Sequence, residues 1–150
     1  MSIQPLGEDE RPEIVALLSA NGLPTSDLEA GTAQFLGVRD NRGLEGIVAI
    51  QPFGAAGLLR SLAVRADRRG SGLGSALVLE AERLAAERGV GALYLLTSDA
   101  GPFFAHRGFT EVPHERAPAE LRATPQFTTL CPASICMTKP MQSGSKAGDR

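Results

Sequence analysis

Arg68-Arg69-Gly70-Ser71-Gly72-Leu73-Gly74-Ser75 stands between a strand-like stretch, Leu58-Leu59-Arg60-Ser61-Leu62-Ala63-Val64, and a run of good helix formers that reaches Arg88. Strand, glycine turn and helix start, in that order, are the parts of an anion site. Glycine has no Cβ, so the main chain can come close to a ligand, and N–H groups at a helix start aim positive dipole ends outward. Arg68 and Arg69 add fixed positive charge beside them. A phosphorylated cofactor suits such a segment; the plain alternative is a glycine-rich turn before an ordinary helix. A Walker-type loop ends in Gly-Lys-Ser/Thr, whereas this one reads Gly74-Ser75-Ala76 and has no lysine. A dinucleotide fingerprint from Gly70 would want glycine or alanine at Ser75, and its acidic residue after the next strand, yet Glu87 precedes that strand.

The elements that must position this loop follow from local patterns. Ile3 to Leu6 reads as a short edge strand. Asp9 is placed to cap a helix with an apolar stripe of Ile14, Val15, Leu17 and Leu18, and Asn21-Gly22 supplies a left-handed stop. Thr25 or Ser26 can cap a second, short helix through Leu28. Phe35 to Val38 and Gly46 to Ile50 read as strands joined through Asp40-Asn41-Arg42-Gly43; Pro52 ends the second, and Gly54 and Gly57 mark the next turn. After the glycine loop, Leu73, Leu77, Ala81 and Leu84 share one helical stripe that Gly89 ends. Gly91 to Leu96 is almost wholly apolar, as for a strand buried on both faces and parallel to its predecessor across a helical crossover.

Asp99 would cap a helix from Ala100 to Arg107, stopped by Gly108, with a strand from Phe109 to Val112. Short helices are expected around Glu120-Leu121-Arg122 and Gln126-Phe127, a last strand from Ile135 to Lys139, and a disordered tail from Gln142 to Arg150. The chain therefore reads as one domain over residues 1–141.

Composition sets the broad class. A chain of 150 residues with 43% apolar and 21% charged residues is globular and can bury a continuous core. A formal charge of −2 argues against general nucleic-acid binding. No apolar stretch approaches the roughly 18 residues of a membrane span. Met1-Ser2-Ile3-Gln4-Pro5 lacks the pattern of a signal sequence, so a cytoplasmic protein is expected. Cys131 and Cys136 are too few for a disulfide framework and suit no common zinc pattern, so they read as reduced thiols with no metal.

Arg69-Gly70-Ser71-Gly72-Leu73-Gly74 resembles the acetyl-coenzyme A loop, Gln/Arg-x-x-Gly-x-Gly/Ala, of the GCN5-related N-acetyltransferase superfamily. The resemblance extends from Leu58 to Val112: Leu62-Ala63-Val64 is similar to the end of that superfamily's fourth strand, Val90 to Leu96 to its fifth, and Phe103-Phe104-Ala105-His106-Arg107-Gly108-Phe109 to the helix and turn that follow. It implies an α/β (α+β) acyl-coenzyme A N-acyltransferase fold, a mixed central sheet of about six to seven strands flanked by about four helices. It also implies acetyl-coenzyme A as co-substrate. The pantetheine arm would enter where two parallel strands part and pair with main chain at Leu62, Ala63 and Val64, and the pyrophosphate would rest on N–H groups from Gly70 to Ser75, with Arg69, Phe104 and Arg107 also at the coenzyme.

By position, the Leu62 N–H would polarise the thioester carbonyl. Many members place tyrosine where Phe104 stands, to protonate the thiolate, and glutamate where Leu58 stands, as base; this chain has neither. Water, or a substrate amine of modest pKa, would then carry much of the proton transfer. His106 could act as an acid but should point away from Phe104's direction, Asp99 reads better as a cap than as a base, and Tyr94 reads as core.

Gly22-Leu23-Pro24-Thr25, Leu58 to Val64, Tyr94-Leu95-Leu96-Thr97, and Leu130-Cys131-Pro132-Ala133-Ser134 with Cys136-Met137 are similar to the arsenic-resistance branch of these enzymes. That resemblance implies acetylation of the α-amino group of arsinothricin, an arsenic analogue of glutamate. Arg60, Thr97 and Arg122 are the candidate acceptor contacts, because arginine's planar fork makes paired bonds to carboxylate and arsinate. An ion pair at the sheet surface for Arg60 and a solvated loop position for Arg122 are the bland alternatives. Two other functions stay open: a different small-molecule or peptide amine as acceptor, or a non-catalytic module that binds acetyl-coenzyme A. Strand and loop exchange at the C-terminal end is compatible with a homodimer.

Overall fold

The computed structural model describes residues 2–23, 25, 33–124, 127–128 and 134–141. Among them are seven strands and four α-helices: β1 (Gln4–Pro5), α1 (Arg11–Ala20), β2 (Gln34–Asp40), β3 (Gly43–Phe53), β4 (Ala56–Val64), α2 (Leu73–Glu87), β5 (Ala92–Thr97), α3 (Gly101–His106), β6 (Thr110–Val112), α4 (Ala119–Arg122) and β7 (Ile135–Pro140). The strands form a mixed sheet in the order β1-β2-β3-β4-β5-β7-β6. The expected α/β architecture is the one observed. The helix expected through Leu28, Gln126, Cys131 and the tail from Gln142 lie outside the described residues.

The chain divides into two compact units, Met1–Gln51 with Leu59–Arg83, and Pro52–Leu58 with Leu84–Arg150. In the first, β2 and β3 pair antiparallel from Gln34↔Ile50 to Asp40↔Gly43, with a bulge between Val38 and Arg39. The turn closes because Asp40 Oδ1 accepts the Arg42 N–H at 2.8 Å and Gly43 takes a φ of 125°. α1 begins one residue later than an Asp9 cap predicts. Glu8–Glu10 forms a 3₁₀ turn, and Glu10 Oε1 accepts the Gly7 N–H at 2.8 Å, so that Asp9 makes no cap bond and the helix starts at Arg11 with Pro12 in its first turn. Its other end behaves as read: Gly22 has φ 70° and the Leu23 N–H returns to the Leu18 carbonyl. Ile14, Leu17 and Leu18 pack with Leu44, Ile47 and Ala63.

Gly46 lets α2 lie close on β3. A Cβ there would stand 2.9 Å from Leu77 Cδ1 and 3.1 Å from Leu73 Cδ2. The buried face of α2 is Leu73, Leu77, Val78, Ala81 and Ala85; Leu84 is only half-buried, so the stripe is wider than the sequence reading and rotated toward Val78 and Ala85. Fully burying Leu77 or Val78 stabilises by about 1.5–3 kcal/mol each.

In the second unit β4 and β5 run parallel through three pairs, Ala56↔Ala92, Gly57↔Leu93 and Leu58↔Tyr94. Gly57 is inside β4, not in the turn, and a Cβ there would meet Leu93 and Val90; Gly54, at φ 64°, makes the turn alone. Pro52 does not end β3, which runs to Phe53; it lies beyond Ile50, the last residue with a β2 partner, where the β2 ladder asks for no N–H. β5 buries Leu93 and Leu95, while Tyr94 and Leu96 are half-buried against the apolar cluster of this unit, so both faces are covered, one less completely than the sequence reading expects. It pairs with β7 from Ala92↔Pro140 to Thr97↔Ile135, and β7 pairs with β6. Leu58, Ala117, Leu121, Phe127 and Cys136 form this unit's apolar cluster.

Candidate active site

The glycine loop is built by conformation that only glycine takes easily. After a 3₁₀ turn, Ala66–Arg68, and an extended Arg69, Gly70 has φ 78° and Gly72 has φ 86°. A Cβ added at either would meet nothing within 4 Å, so open space lies over both. The first helical bond of α2, from the Ala76 N–H to the Gly72 carbonyl, leaves the Leu73 and Gly74 N–H groups ahead of any intrahelical acceptor. Loop, dipole and space together suit an anion.

Charged contacts fix the approach to this loop. Arg68 Nε donates to Glu45 Oε1 at 2.6 Å, and Glu45 is a buried carboxylate, 5% exposed, whose own carbonyl accepts the Arg65 N–H at 2.7 Å. Arg68 therefore anchors the loop instead of offering free charge to a ligand, which corrects its sequence reading. Arg69 Nη2 donates to Asn21 Oδ1 at 2.8 Å, and Ser71 Oγ to the Arg68 carbonyl at 2.5 Å. Arg65 grips Asp40 at 2.6 and 3.1 Å and Asp67 at 2.7 Å, while Arg42 also pairs with Asp67. Hydrogen bonding from Arg65 pulls the Asp67 carboxyl down to about 2 and holds Asp40 further below the usual range. The β2–β3 turn and the 3₁₀ segment are thus tied to each other.

Ser61 interrupts β4 with φ 59°, the one positive value outside glycine among the described residues. A left-handed residue inside a strand breaks the pleat and re-aims its neighbours, and it carries strain of about 1–3 kcal/mol. Leu62 follows directly, half-buried, with Ala63 buried and Val64 half-buried. Strict alternation therefore does not hold across Arg60, Leu62 and Val64. Arg60 Nη1 reaches Gln51 Oε1 at 3.3 Å and its Nε reaches Ser61 Oγ at 3.4 Å.

The remaining candidates belong to the second unit. Asp99 is exposed and does not cap α3, whose N-cap position is Ala100, with no side-chain cap bond; Thr97 Oγ1 instead accepts the Ala100 N–H at 3.0 Å and fixes the turn that leads into the helix. Phe104 is 6% exposed and packs edge-on against Phe103 and Phe109, at 5.0 and 5.6 Å between centroids. Arg107 lies over the Phe103 ring at 5.0 Å. His106 is exposed, Arg122 is exposed with its Nε on the Ala117 carbonyl at 3.0 Å, and Cys136 is a free thiol that burial pushes up to about 11. Among the described residues no group of three His, Cys, Asp or Glu is placed to hold a metal, and no helix is long and apolar enough to cross a membrane.

Glu45, Ser61 and His114 were not singled out from sequence. Glu45 had a signal, a carboxylate inside the apolar run Leu44 to Ile50; Ser61 had none.

The family model described as acetyltransferase (GNAT) domain matches residues 31–111. An uncharacterised N-acetyltransferase of Chlorobaculum tepidum is 38% identical over 63 residues, 42% of this chain and 40% of that protein, so the match spans less than half of that relative. Among solved structures, a GNAT-family acetyltransferase of Staphylococcus aureus Mu50 is similar at TM-score 0.78 and 16% identity, over 93% of this chain and 98% of that one. N-acetylglutamate synthase of Neisseria gonorrhoeae, solved with coenzyme A and N-acetyl-glutamate, is similar at TM-score 0.77 and 23% identity, over 93% of this chain but only 35% of the synthase. With its sheet order, its glycine loop and this match over more than half its length, the chain belongs to the GNAT acetyltransferase domain family.

Proposed function

We propose that this protein moves the acetyl group of acetyl-coenzyme A to the amine of a small molecule, the α-amino group of an arsinothricin-like amino acid. The observation that carries the coenzyme half is the pair Gly70 and Gly72, both at positive φ with open space above them, directly before the N-terminus of α2. In this reading the N–H groups from Gly70 to Ser75 hold the pyrophosphate, and Leu62, Ala63 and Val64 offer main chain to the pantetheine arm. The β4–β5 ladder ends at Leu58↔Tyr94, so their parallel pairing does not use the main chain of Leu62 or Val64. The Leu62 N–H polarises the thioester carbonyl, and Ser61 fixes its direction. Arg69, Phe104 and Arg107 complete the coenzyme side. No metal takes part.

For the acceptor, Arg60, Thr97 and Arg122 are assigned to the acid groups and the amino-acid backbone. Support comes from the sequence resemblance and from the synthase of similar fold, which was solved with an acetylated glutamate. Guanidinium forks match a carboxylate and an arsinate. The enzyme works in the cytoplasm, and a homodimer is compatible with this arrangement.

One observation favours a second reading, a module that binds acetyl-coenzyme A without turning it over. The positions where relatives keep an acid and a base are Phe104 and Leu58, here 6% and 1% exposed and packed among apolar side chains. Thiol release from acetyl-coenzyme A with arsinothricin, phosphinothricin, glutamate, other amino acids, polyamines and a lysine peptide decides between them. Selective turnover of the glutamate analogues is expected; turnover of another amine alone removes the acceptor assignment, and coenzyme binding without turnover of any amine removes the catalytic one.

A further inference from the structure

We propose that His114 is the general base that receives the acceptor amine's proton, in a cavity beside the carboxyl end of β5. This rests on the acetyltransferase reading above and adds a base that the reading lacks.

The cavity, about 470 Å³, is lined by Glu111 and Val112 of β6, by His114 and Ser134, and by Ile135 and Cys136 of β7. Its place follows from the ladders. Ile135 pairs with Thr97 and Cys136 with Leu96, at the C-terminal end of β5, while Val112 pairs with Cys136 from the other side. Ligands of open α/β sheets gather at the carboxyl ends of the strands.

His114 opens the 3₁₀ turn His114–Arg116 and is half-buried. Its Nε2 stands 2.6 Å from the Ser134 carbonyl oxygen. A carbonyl oxygen only accepts, so Nε2 carries the hydrogen and donates it. In the neutral ring the lone pair is then on Nδ1. Phe127, buried, meets the ring edge-on at 5.6 Å between centroids and fixes its plane. Tautomer and orientation are both set, as a base requires. The charged and titratable groups around it are Glu111 on β6, Glu115 and Arg116 on its own turn, and Cys136 on β7, whose thiol burial keeps neutral, with a pKa of about 11. Glu111 is the carboxylate among the cavity's lining residues and holds the incoming ammonium.

The step balances without a further reactant. An N–H bond of the ammonium breaks and its proton goes to Nδ1, giving imidazolium. The freed lone pair attacks the thioester carbon, the C–N bond forms, and the carbonyl pair moves to oxygen. That pair returns as the C–S bond breaks. The second amine proton passes through water to the departing thiolate, leaving amide and coenzyme thiol, and the imidazolium releases its proton to solvent.

The test is the pH profile of kcat/KM for parent and His114→Gln, using the best acceptor of the amine panel. Glutamine keeps an amide N–H for the Ser134 carbonyl and has no base. The parent should show a limb on which kcat/KM falls toward acid, as a mechanism that needs an unprotonated base requires. His114→Gln should lose that limb and about a hundredfold in rate at pH 7, with coenzyme A affinity and melting temperature unchanged. His114→Ala should regain rate as imidazole is added, which a merely structural histidine would not allow. An active parent whose limb and rate survive in His114→Gln overturns the base assignment alone; a parent that binds coenzyme A but turns over no amine overturns the acetyltransferase reading and the base with it.

Discussion

Gly72→Ala separates a coenzyme cradle from an ordinary glycine turn, because the protein carries its own control. Gly72 has φ 86° and Gly89 has φ 80°, and a Cβ at either meets nothing within 4 Å. Alanine at either position therefore costs conformational strain and no steric clash, about 1–2 kcal/mol for an L-residue held in the left-handed region. For a chain of this length that is about 2–8 °C in Tm. The two variants should match in thermal unfolding. They should differ in coenzyme A affinity, because only Gly72 lies where the pyrophosphate is assigned. Displacing the anion from the main-chain N–H groups of Gly72, Leu73 and Gly74, at about 0.3–1 kcal/mol each, loses about 1–3 kcal/mol. Titration calorimetry should then show Kd weaker by about 5- to 150-fold for Gly72→Ala and unchanged for Gly89→Ala. Equal affinities in both variants, at equal loss of Tm, would refute the cradle.

Glu45→Ala leaves Arg68 without its buried carboxylate and loosens the segment before the loop; urea unfolding should show a loss of about 1–3 kcal/mol, discounted for the half-exposed arginine. Asp40 and Asp67 have folded pKa values below the ordinary carboxylate value of 3.8, so their contribution is present above that value and is lost as pH falls toward about 2 for Asp67 and lower for Asp40. The urea midpoint should fall through that window in the parent and less steeply in Asp40→Asn/Asp67→Asn. Thr97→Val removes the acceptor of the Ala100 N–H and should cost about 0.5–2 kcal/mol, measured by urea unfolding, whereas Thr97→Ser should stay near the parent.

What could be read from sequence was what is decided locally. Gly70 and Gly72 announced a turn because no other residue takes their φ without strain, and the α2 stripe followed from a 3.6-residue period that packing on Gly46 only widened. The parallel step from β4 to β5 followed from helix length between two apolar strands. Errors came where two local devices compete. Asp9 and Asp99 are good caps by type, yet a Glu10 bond to Gly7 and a Thr97 bond to Ala100 took their places. In both places the side-chain bond goes to an N–H ahead of the helix, and the backbone path decides which side chain reaches it.

The chemistry-bearing contacts were less legible for a different reason. Arg65 meets Asp40 across 25 positions, Arg68 meets Glu45 across 23, and His114 meets Ser134 across 20. Each pair exists only once strand register is fixed, and a shift of one residue would send those side chains to the opposite face. Ser61 makes the dependence sharper. Its left-handed φ changes which side chains of β4 share a face, so face assignments made by counting twos from Leu58 fail beyond it. The Leu62 N–H, proposed to polarise the carbonyl, sits at that break. A main-chain catalytic donor leaves no trace in side-chain type, so sequence reading reaches it only through the family's pattern, whereas a base such as His114 can be reached from geometry without that pattern. The Leu62 donor and the His114 base therefore rest on separate observations, and loss of the base in experiment would leave the donor standing.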